Sequence, residues 1–274
     1  MKEQAISKAR EVLRKAEINA YPVDIENLVS RLHSLSLSPH PVSIKRTDGL
    51  DDDEAGKLIT LNKNITILVN DKHKNPGRQR FTIAHEVGHI VLAPGQSSLA
   101  VERSDKLIDG WSENEEERMC DQFAAEILMP EKLYRKEVER EGTGFDAIIR
   151  LSEKFQTSIT SAGLHYAKFN LIPCAFVLCQ MGKIIYVEGS PEFKEIGLFI
   201  SRGAIPGGTL AFDLFRDGSS ERGPHEIDPW RWLDRPPKSV EKLFEESLPL
   251  PQYNRVLSFI WIEEREEEEE EKDP

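Results

Sequence analysis

Between Arg80 and His89 the chain reads Arg-Phe-Thr-Ile-Ala-His-Glu-Val-Gly-His, and the H-E-x-x-H spacing of His85, Glu86 and His89 constrains what this segment can become. On a helix, positions i and i+4 lie on one face, about one turn apart. Two imidazoles there can grip one zinc ion, and the glutamate beside the first can reach a metal-bound water. The spacing therefore predicts a helix, and with it hydrolysis by metal-activated water.

A hydrolytic zinc site takes three protein ligands and keeps a fourth position for water. His85 and His89 supply two of them. The metzincin extension needs glycine at position 92 and histidine at position 95, where the chain has Leu92 and Gly95; a third histidine one turn further on would fall at Ala93. A ligand must come from elsewhere. Ser112-Glu113-Asn114-Glu115 fits a capping box, so a helix is expected from Ser112 to Pro130, with Met119/Cys120, Phe123/Ala124 and Ile127/Leu128 recurring along it. Glu117 and Asp121 stand four apart on its apolar side. Acids placed there are costly unless something positive meets them. Zinc bound by Glu117, with Asp121 accepting a hydrogen bond from a ligand imidazole, satisfies both charges. Spacing alone leaves Glu113 and Glu116 open as the ligand, and an acidic first turn also suits the helix dipole. Cys120 has zinc chemistry too, but its small size suits packing better.

The rest of the chain bounds the setting. Its 274 residues leave room for one large domain or two modest ones, and 39% hydrophobic with 31% charged residues is a soluble globular profile. No apolar run is long enough to span a membrane. Met1-Lys2-Glu3-Gln4-Ala5 opens an amphipathic stretch and not a signal peptide. Cys120, Cys174 and Cys179 form no CxxC pair, which places the chain in a reducing cytoplasm. The net charge is −12, of which residues 263–273, with nine acids against two bases, carry −7. That tail is expected to be solvated and disordered. The body lacks the basic excess that phosphate neutralisation needs, so autonomous DNA binding is disfavoured.

Along the chain, Lys2 to Ile18 reads as a helix with Ala5, Ala9, Val12, Leu13 and Ala16 as its stripe, and a second helix starts with Asp24 as N-cap. His33 and His40 are surface residues beside a Ser/Pro-rich connector, and Asp48 to Glu54 is an acidic loop. Leu58–Leu61 and Ile65–Val69 around Asn62-Lys63-Asn64 predict a hairpin; Asn75-Pro76 predicts the start of the motif helix, which stops around Ala93-Pro94-Gly95. A polar loop is expected over 96–111. Residues 131–168 read as helical, broken near Gly142-Thr143-Gly144. Phe145 to Ser158 and Ile159 to Ala167 form a helix-turn-helix-like pair, read here as an ordinary helical hairpin because the second helix offers only His165 and Lys168 as basic or near-basic groups. Near Asn170 the character changes. Residues 171–262 carry a hairpin about Met181-Gly182, a Gly-rich turn (Gly203 to Gly208), a Pro229-Trp230-Arg231-Trp232 segment and a last strand from Arg255 to Ile262. Trp230 and Trp232 are read as packing residues, Cys174 and Cys179 as inert core thiols, and a metal role for His225 with Asp228 as the minor alternative.

The first block, Arg80 to His89, followed by Glu117-Arg118-Met119-Cys120-Asp121-Gln122-Phe123-Ala124-Ala125-Glu126-Ile127-Leu128-Met129-Pro130, resembles the ImmA/IrrE family of bacterial metallo-endopeptidases, whose blocks are R-F-T-x-A-H-E-x-G-H and E-x-x-A-N/D-x-F-A-x-x-L-L-M-P. The resemblance spans residues 20–165 once Tyr21-Pro22-Val23-Asp24 and the hairpin are included, and Cys120 departs from the usual alanine. It selects Glu117 as third ligand in a gluzincin-like E-x-x-x-D arrangement, with Asp121 behind a ligand imidazole, Zn2+ as the metal and Glu86 as the base. It also implies that the hairpin at 58–69 offers an edge strand to an extended substrate. His73, Arg80, Tyr134 and His165 remain undecided candidates for stabilising the oxyanion. The implied partner is an XRE-type helix-turn-helix repressor, cleaved to release stress-response or mobile-element genes. The expected fold class is α+β: a mainly helical zincin-like domain with a small β-sheet (1–130), the helical hairpin (131–169), and a small α+β domain (170–262), GAF-like and sensory by family analogy. The disordered tail (263–274) completes it. The competing reading is a DNA-binding or ligand-sensing regulator with a structural or vestigial zinc site.

Overall fold

The alanine and valine stripe near the N-terminus folds as α1 (Lys2–Lys15), whose Ala5, Ala9 and Val12 are fully buried. The structure, a computed structural model, describes residues 2–92, 102–103, 114–170, 172–218 and 222–262. It divides into two compact units, Met1–His165 and Tyr166–Pro274. The expected helix stop at 93–95, most of the polar loop at 96–111, Ser112 with Glu113, and the acidic tail at 263–274 lie outside the described residues.

In the first unit, α2 (Ile25–Arg31) is capped as expected, the Asp24 side chain accepting from the Asn27 amide at 3.0 Å. A sheet follows in the order β1-β3-β2-β4, built from β1 (Val42–Thr47), β2 (Glu54–Leu61), β3 (Asn64–Asn70) and β4 (Glu102–Arg103). The hairpin turn is Asn62-Lys63 with φ of 49° and 60°, the left-handed pair that matches the twist of the flanking strands. Two elements depart from expectation. β1 pairs parallel to β3 with no turn signal between them, and β4 lies inside a stretch read as loop, paired with the open edge of β2 at Glu54 and Gly56.

Next comes α3 (Pro76–Leu92), in which every residue from Phe81 to Val91 is buried. Its start is the Asn75 cap, whose Oδ1 accepts from the Arg78 amide at 3.1 Å. α4 (Glu115–Leu128) begins two residues later than a capping box with Ser112 as N-cap suggested. Asn114 is its N-cap, accepting from the Glu116 amide at 3.0 Å. α5 (Glu131–Glu141), α6 (Phe145–Phe155) and α7 (Ile159–Phe169) follow, the first break falling at the expected glycines and α6 ending three residues before Ser158, with Gln156-Thr157-Ser158 forming the corner.

The α6–α7 corner is docked tightly on α3. A Cβ at Gly77 would lie 2.6 Å from the Thr157 carbonyl carbon and 2.7 Å from the Ser158 nitrogen. Helix propensity alone favours alanine over glycine by about 1 kcal/mol. Overlap with backbone costs typically about 1–3 kcal/mol or more, so the steric effect wins. Gly77→Ala is expected to lower the thermal midpoint of this unit by roughly 2–8 °C, at about 2–4 °C per kcal/mol for a domain of this size. An unchanged or higher midpoint in a far-UV circular dichroism melt would show that this corner is not packed as described.

The second unit is one antiparallel sheet in the order β7-β6-β5-β10-β9-β8. Its strands are β5 (Cys174–Gln180), β6 (Lys183–Gly189), β7 (Gly203–Ala204), β8 (His225–Ile227), β9 (Leu243–Leu250) and β10 (Arg255–Trp261). One face packs Ala175, Val177, Val256 and Ile260 under α9 (Leu210–Asp217) and α10 (Pro229–Trp232), with α8 (Pro191–Glu195) beside them. The opposite face carries Phe176, Leu178, Leu257 and Phe259, all buried, with Tyr166 edge-on to Phe259 at 5.3 Å. Burial on both faces explains why the two central strands read as unbroken apolar runs. Trp232 is buried as expected, whereas Trp230 is 67% exposed. Asp228 caps α10, accepting from the Trp230 amide at 3.0 Å, which gives its carboxylate a structural task. Cys174 and Cys179 are free and buried, and burial pushes both thiols up to about 12. Among the described residues, no helix is long and apolar enough to cross a membrane.

Candidate metal centre

The site is built where α3 crosses α4. The crossing is close because Gly88 has no side chain: a Cβ there would meet Cys120 Cα and Cβ at 3.1 Å. Small residues on both helices thus let the His85–His89 face of α3 approach the first turn of α4. Cys120 is fully buried at this contact.

His85 Nε2 lies 3.1 Å from His89 Nε2 and 3.1 Å from Glu117 Oε2, and His89 Nε2 lies 3.6 Å from Glu117 Oε1. Three ligands bound at about 2.0–2.1 Å around a tetrahedral ion are spaced about 3.3 Å apart, so this triangle has the size of one zinc ligand set. Two imidazole lone pairs and a carboxylate at these distances repel unless a proton or a cation lies among them. The donor set therefore fits a divalent metal. Cys120 Sγ also lies within 4.8 Å of a ligand atom of each imidazole, so the cluster offers a thiol beside the Glu117 carboxylate, which stands 3.1 Å from His85 Nε2 and 3.6 Å from His89 Nε2.

Behind the triangle, His85 Nδ1 donates to Asp121 Oδ1 at 2.9 Å, both side chains being buried. That bond directs the Nε2 lone pair of His85 into the site. Glu86 is buried on α3 with neither carboxylate oxygen hydrogen-bonded. Burial pushes its pKa up to about 7, opposed by the two imidazoles. Burial also works to raise Glu117, but the His85 and His89 imidazoles outweigh it and hold that carboxyl well below the usual carboxylate range. His89 goes the other way. Burial works against its protonated form, yet Cys120 and Glu117 carry it up to about 10. A proton drawn this strongly to His89 marks a place that calls for positive charge.

β2 runs past this cluster, with Glu86 Oε1 3.7 Å from where a side chain would begin at Gly56. β4 covers β2 at Glu54 and Gly56; among the described residues no strand pairs with Lys57–Leu61 on the side away from β3. Gly88 is the glycine of the family block between Arg80 and His89, whereas nothing in the sequence marked Gly56 as a site position.

The four oxyanion candidates are placed as follows. Arg80 donates to the Val23 carbonyl at 2.7 Å and the Gln156 carbonyl at 3.1 Å, clamping the segment before α2 and the C-cap of α6 onto α3. The Tyr134 hydroxyl donates to the Ala162 carbonyl at 2.7 Å, and its ring meets His165 edge-on at 5.5 Å inside the helical core. His73 follows β3, and burial together with Arg78 lowers its pKa. Glu116, left open as a ligand by spacing, lies on the far side of His89, its Oε1 3.5 Å from Nδ1. His33 is likewise engaged away from this cluster, its Nδ1 3.1 Å from the Ser38 carbonyl.

Comparison with known proteins finds a family match for this region. Residues 33–164 match a peptidase family described as the IrrE N-terminal-like domain. The chain is 34% identical over 117 residues to the radiation response metalloprotease IrrE of Deinococcus radiodurans, covering 43% of this chain and 35% of that protein. It is 29% identical over 160 residues to the protein of the same name from Deinococcus deserti, covering 58% and 52%. The matched stretch thus spans a third to a half of those relatives' own length. A solved Mycobacterium tuberculosis transcriptional regulator superposes with a TM-score of 0.59 at 14% identity, over 96% of this chain and 77% of that one, a likeness of fold alone.

Proposed function

From the match of residues 33–164 to the IrrE N-terminal-like peptidase family, we propose that this chain is a zinc-dependent, site-specific endopeptidase. One observation carries the reading: His85 Nε2, His89 Nε2 and the Glu117 carboxylate converge beside a buried Glu86 whose two oxygens have no hydrogen-bond partner. A structural zinc site would be closed by a fourth protein ligand and would have no use for such a carboxylate.

Zinc held by His85, His89 and Glu117 supplies Lewis acidity toward a peptide carbonyl and toward water. The side chains do the rest. Glu86 takes a proton from the attacking water as its oxygen bonds to the carbonyl carbon, then delivers that proton to the leaving nitrogen as the C–N bond breaks. A pKa near 7 suits a group that must both accept and return a proton at neutral pH. Asp121 holds His85 in its ligating tautomer. Among the described residues, the edge of β2 beyond Gly56 on the side away from β3 carries no strand, and its main-chain groups suit an extended peptide, which supports an unfolded segment of a protein as substrate.

The substrate we propose is an XRE-type helix-turn-helix repressor, whose cleavage frees stress-response or mobile-element genes; the radiation-response name of the two Deinococcus relatives supports this setting. Three free buried cysteines accord with a reducing cytoplasm. For the second unit we propose a GAF-like sensory role. A cleft of about 410 Å³ lined by Val187, Phe193, Leu198, Ile200, Lys194 and Arg202 is room for a small ligand there. The rival reading, a DNA-binding regulator, takes its support from the α6–α7 pair. Against it, the corner of that pair is packed on α3, and His165 on its second helix is buried.

The test is incubation of the purified chain with zinc and the helix-turn-helix repressor encoded beside it. One cleavage in the repressor is expected, abolished by a chelator and restored by zinc. Salt-sensitive binding to duplex DNA without cleavage would favour the rival.

A further inference from the structure

His85 has a carboxylate behind it, and His89 needs an acceptor of its own. A ligand imidazole whose Nε2 faces the metal carries its proton on Nδ1, and that N–H needs an acceptor to hold ring and tautomer in place. His89 Nδ1 is buried without a hydrogen-bond partner. So is one carboxylate oxygen nearby, Glu116 Oε1. These two orphaned atoms, one a donor and the other an acceptor, lie 3.5 Å apart. Buried polar atoms are rarely left unpaired, and here each is the other's complement. The Glu116 side chain is 40% exposed, so a small rotation about its own bonds closes the gap without moving either helix.

We propose that Glu116 is the positioning residue for His89, as Asp121 is for His85, so that two successive glutamates of α4 divide the work. Glu117 faces the Nε2 side of the histidine pair and Glu116 the Nδ1 side of His89. This assignment rests on the metal-centre reading above. The geometry also separates Glu116 from its neighbours. Glu115, on the same helical turn, is exposed, so it shares the helix-dipole contribution of Glu116 but not the contact. Cys120 interacts with the His89 ring as well, but a neutral thiol is a weak acceptor beside a carboxylate.

The test is zinc affinity, read by competition with a chromophoric chelator. The proteins are the full chain, Glu116→Ala, Glu116→Gln, Glu115→Ala and Cys120→Ala, each first shown to keep its far-UV spectrum. Glu116→Ala is expected to bind zinc at least about 10-fold more weakly, the size seen on removing such partners. Glu116→Gln, whose amide oxygen can still accept the Nδ1 proton, should recover most of the loss, while Glu115→Ala and Cys120→Ala stay within about 3-fold of the parent. In 1H–15N spectra of the zinc-loaded protein, the parent should show one His89 tautomer with a protected Nδ1 proton, and Glu116→Ala should lose that protection. Equal affinity in Glu116→Ala and the parent overturns the assignment and leaves the metal centre standing. A parent chain that binds no zinc overturns both.

Discussion

Glu86→Gln is expected to keep its zinc and lose peptide hydrolysis by at least about 10³-fold, within the range for removing a general base. The argument is local. Glutamine has the shape of glutamate but cannot accept the proton that the attacking water must lose. His85, His89 and Glu117, the proposed ligands, are untouched, so metal content measured by elemental analysis should match the parent. The variant should also be at least as stable as the parent, because a buried carboxylate with two unpartnered oxygens becomes a neutral amide. Gain in stability with loss of activity is the usual sign of a residue held for chemistry. A Glu86→Gln protein that cleaves the repressor at a rate comparable to the parent would remove Glu86 from the role assigned to it. His89→Ala should lose metal and activity together.

The second large effect lies away from the metal. Glu245 is fully buried on the inner face of β9. Its carboxylate accepts from the Leu210 amide at 3.0 Å, the Ala211 amide at 2.8 Å, Trp232 Nε1 at 3.0 Å and the Ser247 hydroxyl at 2.9 Å. A negative charge at the N-terminus of α9, beside its Thr209 cap, is favoured by the helix dipole as well. Glu245→Leu fits the apolar surroundings but leaves the Leu210 and Ala211 amides and Trp232 Nε1 facing methyl groups, while the Ser247 hydroxyl can turn to Ser258 Oγ at 2.7 Å. Each buried donor without an acceptor costs about 1–3 kcal/mol, and breaking a buried charged arrangement costs about 3–5 kcal/mol in all. At about 4–8 °C per kcal/mol for a unit of this length, the thermal midpoint should fall by more than about 12 °C. Three of the four tryptophans, Trp230, Trp232 and Trp261, lie in this unit, and with Trp111 of the first unit replaced by phenylalanine, tryptophan fluorescence reports its unfolding. A midpoint within a few degrees of the parent would mean that the carboxylate is not the hub described.

Local chemistry explains which elements were legible. Asp24 and Asn75 cap their helices as read, because an Asx side chain satisfies an amide two or three residues away whatever the rest of the chain does. Asn62-Lys63 and Met181-Gly182 turn where expected, their positive φ values suiting tight hairpins. By contrast β1 was missed, since its partner β3 is joined to it through another strand and its exposed Ser43, Lys45 and Arg46 dilute the apolar pattern. The start of α4 moved from Ser112 to Asn114, since several residues in Ser-Glu-Asn-Glu are good caps and sequence cannot rank them. Arg80 and Tyr134 were plausible oxyanion groups by type, and only their hydrogen bonds to Val23, Gln156 and Ala162 gave them structural tasks.

The sequence by itself determined the chemistry on offer: two imidazoles and a carboxyl on one face of one helix, an acidic pair on the apolar face of another, and the block pattern of a peptidase family. Those follow from spacing along a helix, which is a local rule. Spacing left Glu116 and Glu117 open and the family resemblance chose Glu117; the tertiary structure decided where Glu116 goes and that Asp121 meets His85. Glu116 and Glu117 are adjacent and chemically identical, yet the crossing of α3 over α4 at Gly88 and Cys120 turns one toward His89 Nδ1 and brings the other within reach of both Nε2 atoms. Two helices with good ligands form a site only when their backbones approach closely at one angle, and that angle is set by packing across the whole first unit.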